Sequence, residues 1–164
     1  QDAEAVMLPE ALKQRIIPVV TACALAIATV FVGFFEGKEN TAYRDIAGVW
    51  TICYGHTGDV KAGDYKTDAE CDALLQQDLK PAFHAIDRLV TVPLSELQRA
   101  ALASFIYNVG TGAFERSTLL KKLNRGDLIG ACNEFRRWNQ PAGQVWQGLT
   151  NRREAERMLC LEKL

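Results

Sequence analysis

The chain lacks an excess of either charge. Its 19 basic and 20 acidic residues leave a net charge of -1. A nucleic-acid binder needs a net basic face to neutralise phosphates, so no nucleic-acid partner is expected. Histidine is scarce, with only His56 and His84, and the five cysteines form no Cys-x-x-Cys pair. Zinc sites bring their ligands in close pairs, so no metal site is expected. There is no internal repeat and no low-complexity linker. At 164 residues, 48% hydrophobic and 24% charged, the chain suits one domain with a real core and one added apolar segment.

That segment is defined by a local absence. Ile16 to Phe35 is twenty residues without a charge, long enough to span a bilayer as a helix. Lys13 and Arg15 precede it and Glu36, Lys38 and Glu39 follow, so the positive-inside rule keeps the N-terminus cytoplasmic and exports the rest. A cleaved signal peptide has a shorter apolar core, of about 7–15 residues, and a small-x-small site that Gly33-Phe34-Phe35-Glu36 does not supply. A permanent anchor is disfavoured by Pro18, Thr21, Cys23, Thr29, Gly33, four alanines and a single leucine, which make the run only weakly apolar. Such a segment can insert and still leave. A buried core helix is the remaining alternative. Gln1 to Val6, ahead of the first methionine, are read as a remnant of expression.

Beyond Glu36, residues 43–45 and 49–54 carry β-branched and aromatic side chains. With 61–65 they suggest a three-stranded antiparallel sheet over about 43–66, with 38–41 as a polar turn before it. The remainder is helical. Thr67-Asp68-Ala69-Glu70 and Ser95-Glu96-Leu97-Gln98 are capping boxes. Pro81 is expected to end the first of these helices and start another, and Gly110 to follow the second. Ser117 to Asn124 reads as a short helix, Asp127 caps the next, and Asn151 with Glu154 opens the last. Four cysteines follow the apolar run. In an exported chain they suggest two disulfides. The local pairs Cys53–Cys71 and Cys132–Cys160 are expected out of three connectivities. Cys23 is either a small apolar helix residue or a regulatory thiol that exchanges with a disulfide after leaving the membrane.

Glu36 and Asp45 lie nine positions apart, and Thr51 six further on. A helix end followed by a hairpin can bring two carboxylates to face each other. Glycoside hydrolysis needs that arrangement, with one acid protonating the leaving oxygen and the other activating water. Phe34 and Phe35 predict apolar surroundings for Glu36, where desolvation favours the protonated form. Asp45, beside Arg44 and a polar strand, is expected to stay ionised, and the Thr51 hydroxyl suits holding the attacking water. Alone, two acids at this spacing are equally two solvated surface groups.

The segment FEGKENTAYRDIAGVWTICYGHTG resembles the catalytic segment of the phage T4-type lysozymes, glycoside hydrolase family 24. That pattern is Glu, eight residues, Asp, five residues, Thr and a Gly-His turn, which here is Glu36, Asp45, Thr51 and Gly55-His56. The resemblance continues through FIYNVGTGAFERSTLL, GDLIGACNEFRRW and GLTNRREAERMLC. Within the family, Ile16 to Phe35 looks like the signal-anchor-release segment of lambdoid endolysins of the phage 21 kind. The resemblance implies an α+β, lysozyme-like fold with a small sheet lobe, a larger helical lobe and a cleft between them. Residues 1–15 would be a flank, 16–35 the signal-anchor-release segment and 36–164 the catalytic domain. It implies a monomeric muramidase without a cofactor, acting on peptidoglycan, held at the host inner membrane facing the periplasm and then released into the periplasm. Glu36 would be the general acid, and Asp45 with Thr51 would place water. Because the chain has Asp45 where some related enzymes have Cys, activation by unblocking a catalytic thiol is not available to it.

Further contacts follow from the family's cleft wall. Tyr107, Asn108, Phe114, Ser117 and Thr118 match it, and Asn108 and Ser117 suit sugar hydroxyls best. Tyr107 and Phe114 are equally core aromatics. His56 either touches substrate or, the favoured reading, ties its turn to a nearby acid. Arg136, Arg137, Arg152 and Arg153 give the late helices positive faces. Arg137 and Arg152 meet the wall's peptide carboxylates or lie on a solvated face. Trp138 and Trp146 are expected in the core and His84 on the surface. The alternatives to a muramidase are a lytic transglycosylase, disfavoured by Asp45, and a non-catalytic peptidoglycan-binding protein on the same fold, disfavoured by the intact Glu36, Asp45 and Thr51.

Overall fold

A computed structural model of the chain describes residues 7–19 and 21–164. The expected expression remnant at 1–6 lies outside them. The apolar run does not form one helix. It is divided between the end of α1 (Glu10–Ile16), a 3-10 turn at Ile17–Val19, and α2 (Ala24–Glu36). Pro18 sits at the break, where its missing N–H interrupts a continuous ladder. Among the described residues no helix is long and apolar enough to cross a membrane.

In this structure α2 is a core helix. Ala24, Ile27, Ala28, Phe31 and Val32 form its buried stripe at helical spacing. Each of Ile27, Phe31 and Val32 is fully buried and contributes roughly 1.5–3 kcal/mol. Leu8 and Leu12 of the N-terminal flank and Ile16, the first residue of the apolar run, join the same core. Residues on both sides of the expected divisions at 15/16 and 35/36 therefore share one core.

α2 leads through Gly37, at φ 72°, into β1 (Glu39–Arg44), which pairs antiparallel with β2 (Trp50–Cys53). Tyr43 faces Thr51 and Arg44 faces Trp50. The sheet has two strands, not the expected three. Residues 61–65 make only a bridge, Thr41 to Tyr65, with the Ala42 N–H donating to the Asp64 carbonyl. The Asp64 carboxylate accepts from the Lys61 N–H, and Gly63 sits at φ 85°. Together they close a turn where a third strand would have to extend. Conversely, β1 begins at Glu39, inside the stretch read as a turn.

The helical lobe comprises α3 (Asp68–Leu89), α4 (Glu96–Val109), α5 (Thr111–Glu115), α6 (Thr118–Asn124), α7 (Leu128–Glu134) and α8 (Gln147–Cys160). Both predicted capping boxes are formed, at Thr67 and at Ser95. α3 runs through Pro81 instead of ending there. Its buried stripe of Leu75, Leu79, Ala82, Ala85 and Ile86 is continuous across the proline. Packing of that stripe outweighs the lost hydrogen bond and ring clash, which cost about 3 kcal/mol. α8 begins four residues before the expected Asn151. The disulfides pair as expected. Cys53–Cys71 joins β2 to α3 and Cys132–Cys160 joins α7 to the end of α8. Cys23 is free and exposed, at the N-cap of α2.

Candidate active site

Glu36 is the last residue of α2, and its side chain is 27% exposed. Its partner comes from α8, where Arg152 Nη1 donates to Glu36 Oε1 at 2.5 Å. The guanidinium also lies 5.8 Å from the centre of the Phe35 ring. The surroundings of Glu36 thus combine the expected aromatic with a buried cation that was read as part of a positive, partly solvated face. Both Arg152 and Arg153 are buried, at 4% and 1% exposure. They converge on Glu156, which is fully buried. Arg152 Nε and Arg153 Nη2 donate to Glu156 Oε1 at 3.3 and 3.1 Å, and the Ser104 hydroxyl donates to the same oxygen at 2.7 Å. Arg152 Nη2 donates to the Ser104 carbonyl, and Arg153 Nη2 to Asn108 Oδ1. The spacing Arg152-Arg153…Glu156 on one helix is the signal that could have exposed this cluster, since residues three and four apart are neighbours.

Asp45 is positioned by its own loop. Its Oδ1 accepts from the N–H groups of Ala47 and Val49, both at 2.9 Å, and its N–H donates to the Val49 carbonyl. The Thr51 hydroxyl donates to that same carbonyl at 3.0 Å, so one backbone oxygen ties Asp45 and Thr51 together.

A cleft of about 420 Å³ is lined by Glu36, Phe35, Asn108, Trp146, Leu149 and Arg152. A neighbouring cavity of about 440 Å³ shares Asn108 and Leu149 and adds Arg137, Trp138 and Gln140. Glu36 and Asn108 thus line one cavity, and Asn108 and Arg137 line the one beside it. A larger cavity of about 610 Å³, lined by Arg15, Gly33, Phe34, Lys38 and Tyr54, contains none of the predicted catalytic residues. Trp146 is 55% exposed in the Glu36 cleft and not in the core, because it stands at the N-cap of α8 on the loop that precedes it.

The other predicted residues have structural partners. His56 Nδ1 lies 2.7 Å from Asp78 and Nε2 lies 3.0 Å from Asp59, so the ring ties its turn to α3. Burial opposes protonation of this ring. The hydrogen bonds and charges of Asp78 and Asp59 outweigh it and hold the pKa above its ordinary value. The Tyr107 hydroxyl donates to the Tyr54 carbonyl, linking α4 to the sheet lobe. Burial, reinforced by the charges of Glu36 and Asp78, pushes Tyr107 up to about 12. The Ser117 hydroxyl accepts from the Leu120 N–H as the cap of α6 and donates to the Phe114 carbonyl, so it is engaged within the protein. Thr118 is exposed in the first turn of that helix, and His84 is on the surface. Arg137 is exposed and lies 3.3 Å from Glu134.

Residues 33–156 match the phage lysozyme family. The chain is 44% identical over 161 residues to the SAR-endolysin of Enterobacteria phage P21, covering 94% of this chain and 98% of that one. It is 58% identical over 122 residues to the SAR-endolysin of Escherichia phage Mu, covering 72% and 71%. Among solved structures, a P22 lysozyme superposes with a TM-score of 0.77 at 32% identity, covering 95% of this chain and 99% of that one. The fold, the helix-end glutamate and these similarities agree, and the chain belongs to the phage lysozyme family. It is a lysozyme-class enzyme with an endolysin's architecture.

Proposed function

We propose that this enzyme hydrolyses the β-1,4 bond between N-acetylmuramic acid and N-acetylglucosamine in peptidoglycan, lysing the host cell. The observation that carries this reading is Glu36, on the last turn of a core helix and partly open to a groove lined by aromatic, amide and guanidinium groups. That lining suits a sugar chain with anionic peptide stems. Glu36 acts as general acid toward the leaving oxygen. Asp45, acceptor-bound to its loop through one oxygen, offers the other to a water that Thr51 helps to place. Attack from the opposite face inverts the anomeric carbon, for which a carboxyl separation of about 6.5–9.5 Å is expected. Purified peptidoglycan should release reducing ends with the parent and not with Glu36→Gln, a loss of about 10²–10⁴-fold. Anhydro-sugars in the product mass spectrum would instead identify a transglycosylase.

The apolar segment supplies the control. Membrane insertion of residues 16–35 withdraws α2 from the core and pulls Glu36 to the bilayer surface, away from Asp45 and Arg152. Release into the periplasm lets α2 take its seat, which buries Ile27, Phe31 and Val32. A long flexible linker inserted between Phe35 and Glu36 should uncouple Glu36 from this movement and lower activity in the released form. Unchanged activity and unchanged membrane control would rule the coupling out.

A further inference from the structure

Glu156 lines neither cavity, yet it is the most deeply buried acid beside the site. Its hydrogen-bond partners are all donors: Ser104 Oγ, Arg152 Nε and Arg153 Nη2. Arg153 Nε also lies 2.9 Å from Glu156 Oε2. Burial pushes the Glu156 carboxyl up from its ordinary value. The two guanidinium groups and the Ser104 hydroxyl oppose that push. Its two oxygens each face an arginine, Oε1 the Nε of Arg152 at 3.3 Å and Oε2 the Nε of Arg153 at 2.9 Å, which is the pattern of an ion-paired carboxylate.

The charged and titratable groups facing Glu36 are Arg152 in direct contact on α8, Arg153 behind it, and the neutral Tyr107 hydroxyl on α4. A general acid must hold a proton before it gives one up, and the nearest charge to Glu36 is the Arg152 guanidinium, whose Nη1 donates to Oε1 at 2.5 Å. With Glu36 protonated, the cluster carries two cations and the single anion Glu156. Without Glu156 both cations would stand uncompensated in a buried site, at a cost that favours loss of the Glu36 proton.

We propose that Glu156 is a positioning residue. It holds Arg152 against Glu36 and offsets the positive charge that two buried arginines place beside the general acid, and so sets the pH range over which Glu36 keeps its proton. This rests on the reading of Glu36 as the acid. The test is the pH–rate profile of reducing-end release from purified peptidoglycan, with circular dichroism to follow folding. Glu156→Gln should move the alkaline limb to lower pH by about one unit, a roughly tenfold loss of rate above the limb. Glu156→Asp, which keeps the charge, should restore the parent's limb. Arg153→Gln removes a cation instead and should move the limb the opposite way. The two shifts of opposite sign support the proposal, and the Arg153→Gln shift alone supports it if Glu156→Gln does not fold. It is overturned if the parent is active and the substitutions that fold leave the limb in place or lower the rate equally at every pH. A parent inactive across the range overturns the muramidase reading, and this proposal with it.

Discussion

The two acids of the proposed pair are held in opposite ways. Asp45 is fixed by N–H groups two and four residues away, within its own turn. Glu36 is fixed from a distance. Arg152 reaches it across 116 positions, and the first N–H of its helix, that of Ala24, donates to the Glu96 carboxylate across 72. The Asp45 turn can therefore form with little help, whereas the contacts of Glu36 exist only once α2 is seated among α3, α4 and α8. In the proposed release, the segment that moves carries the acid whose contacts depend on the core.

Breaking the long-range half should have the largest effect. Arg152→Met leaves Glu156 buried with one cation fewer and Glu36 without its partner. It should destabilise the fold by about 3–5 kcal/mol, read from urea unfolding. An equally stable variant would mean that the cluster is replaceable by packing alone. Trp146 tests whether the groove beside Glu36 grips substrate. Trp146→Ala should raise KM about tenfold with kcat nearly unchanged, Trp146→Phe should recover most of it, and thermal stability should not move, since this indole is exposed.

A smaller effect is expected at the far end of α2. Cys23 makes no side-chain cap there, and Glu96 takes that role. Glu96→Ala should cost about 1 kcal/mol, measured as a lowered Tm, while the rate of the folded enzyme stays the same. The smallest effect belongs to the local half. The folded pKa of His56 lies above its ordinary value. Its bonds to Asp78 and Asp59 therefore contribute fully below the unfolded value of about 6.5, and that contribution is lost as pH rises through the folded value. The Tm difference between the parent and His56→Asn should be larger at about pH 5.5 than at about pH 8.5. A difference that grew with pH would contradict the assignment.

How far the molecule was legible follows the same division. The capping boxes at Thr67 and Ser95, the Asp127 cap and the Cys53–Cys71 pair depend on residues close in sequence, and all were readable. Reading the helix-end glutamate, the loop aspartate and Thr51 as one motif rested on the resemblance of 35–58 to the catalytic segment of the phage lysozymes, because the spacing alone fits two solvated acids equally well. What went unread was settled by distant contacts. Arg152 and Arg153 looked like a solvated face because nothing nearby in sequence announces Glu36 or Ser104 as partners. α3 passed through Pro81 because its buried stripe continued on the other side. The supposed third strand closed into a turn through Asp64 and Gly63, and Trp146 moved from core to groove with the start of α8.

The sequence by itself determined that residues 16–35 carry no charge, that Glu36 follows them directly, and that Asp45 and Thr51 come next at the family's spacing. These are covalent facts, independent of where the chain lies. The tertiary structure alone decided that Ala24–Glu36 serves as a core helix, that Arg152 meets Glu36, and that Glu156 stands behind them both. The physical reason is that apolar burial is non-directional. A weakly apolar helix gains from leaving water whether a bilayer or its own protein receives it. Only the packing of distant helices, and the buried charges they bring together, selects between the two.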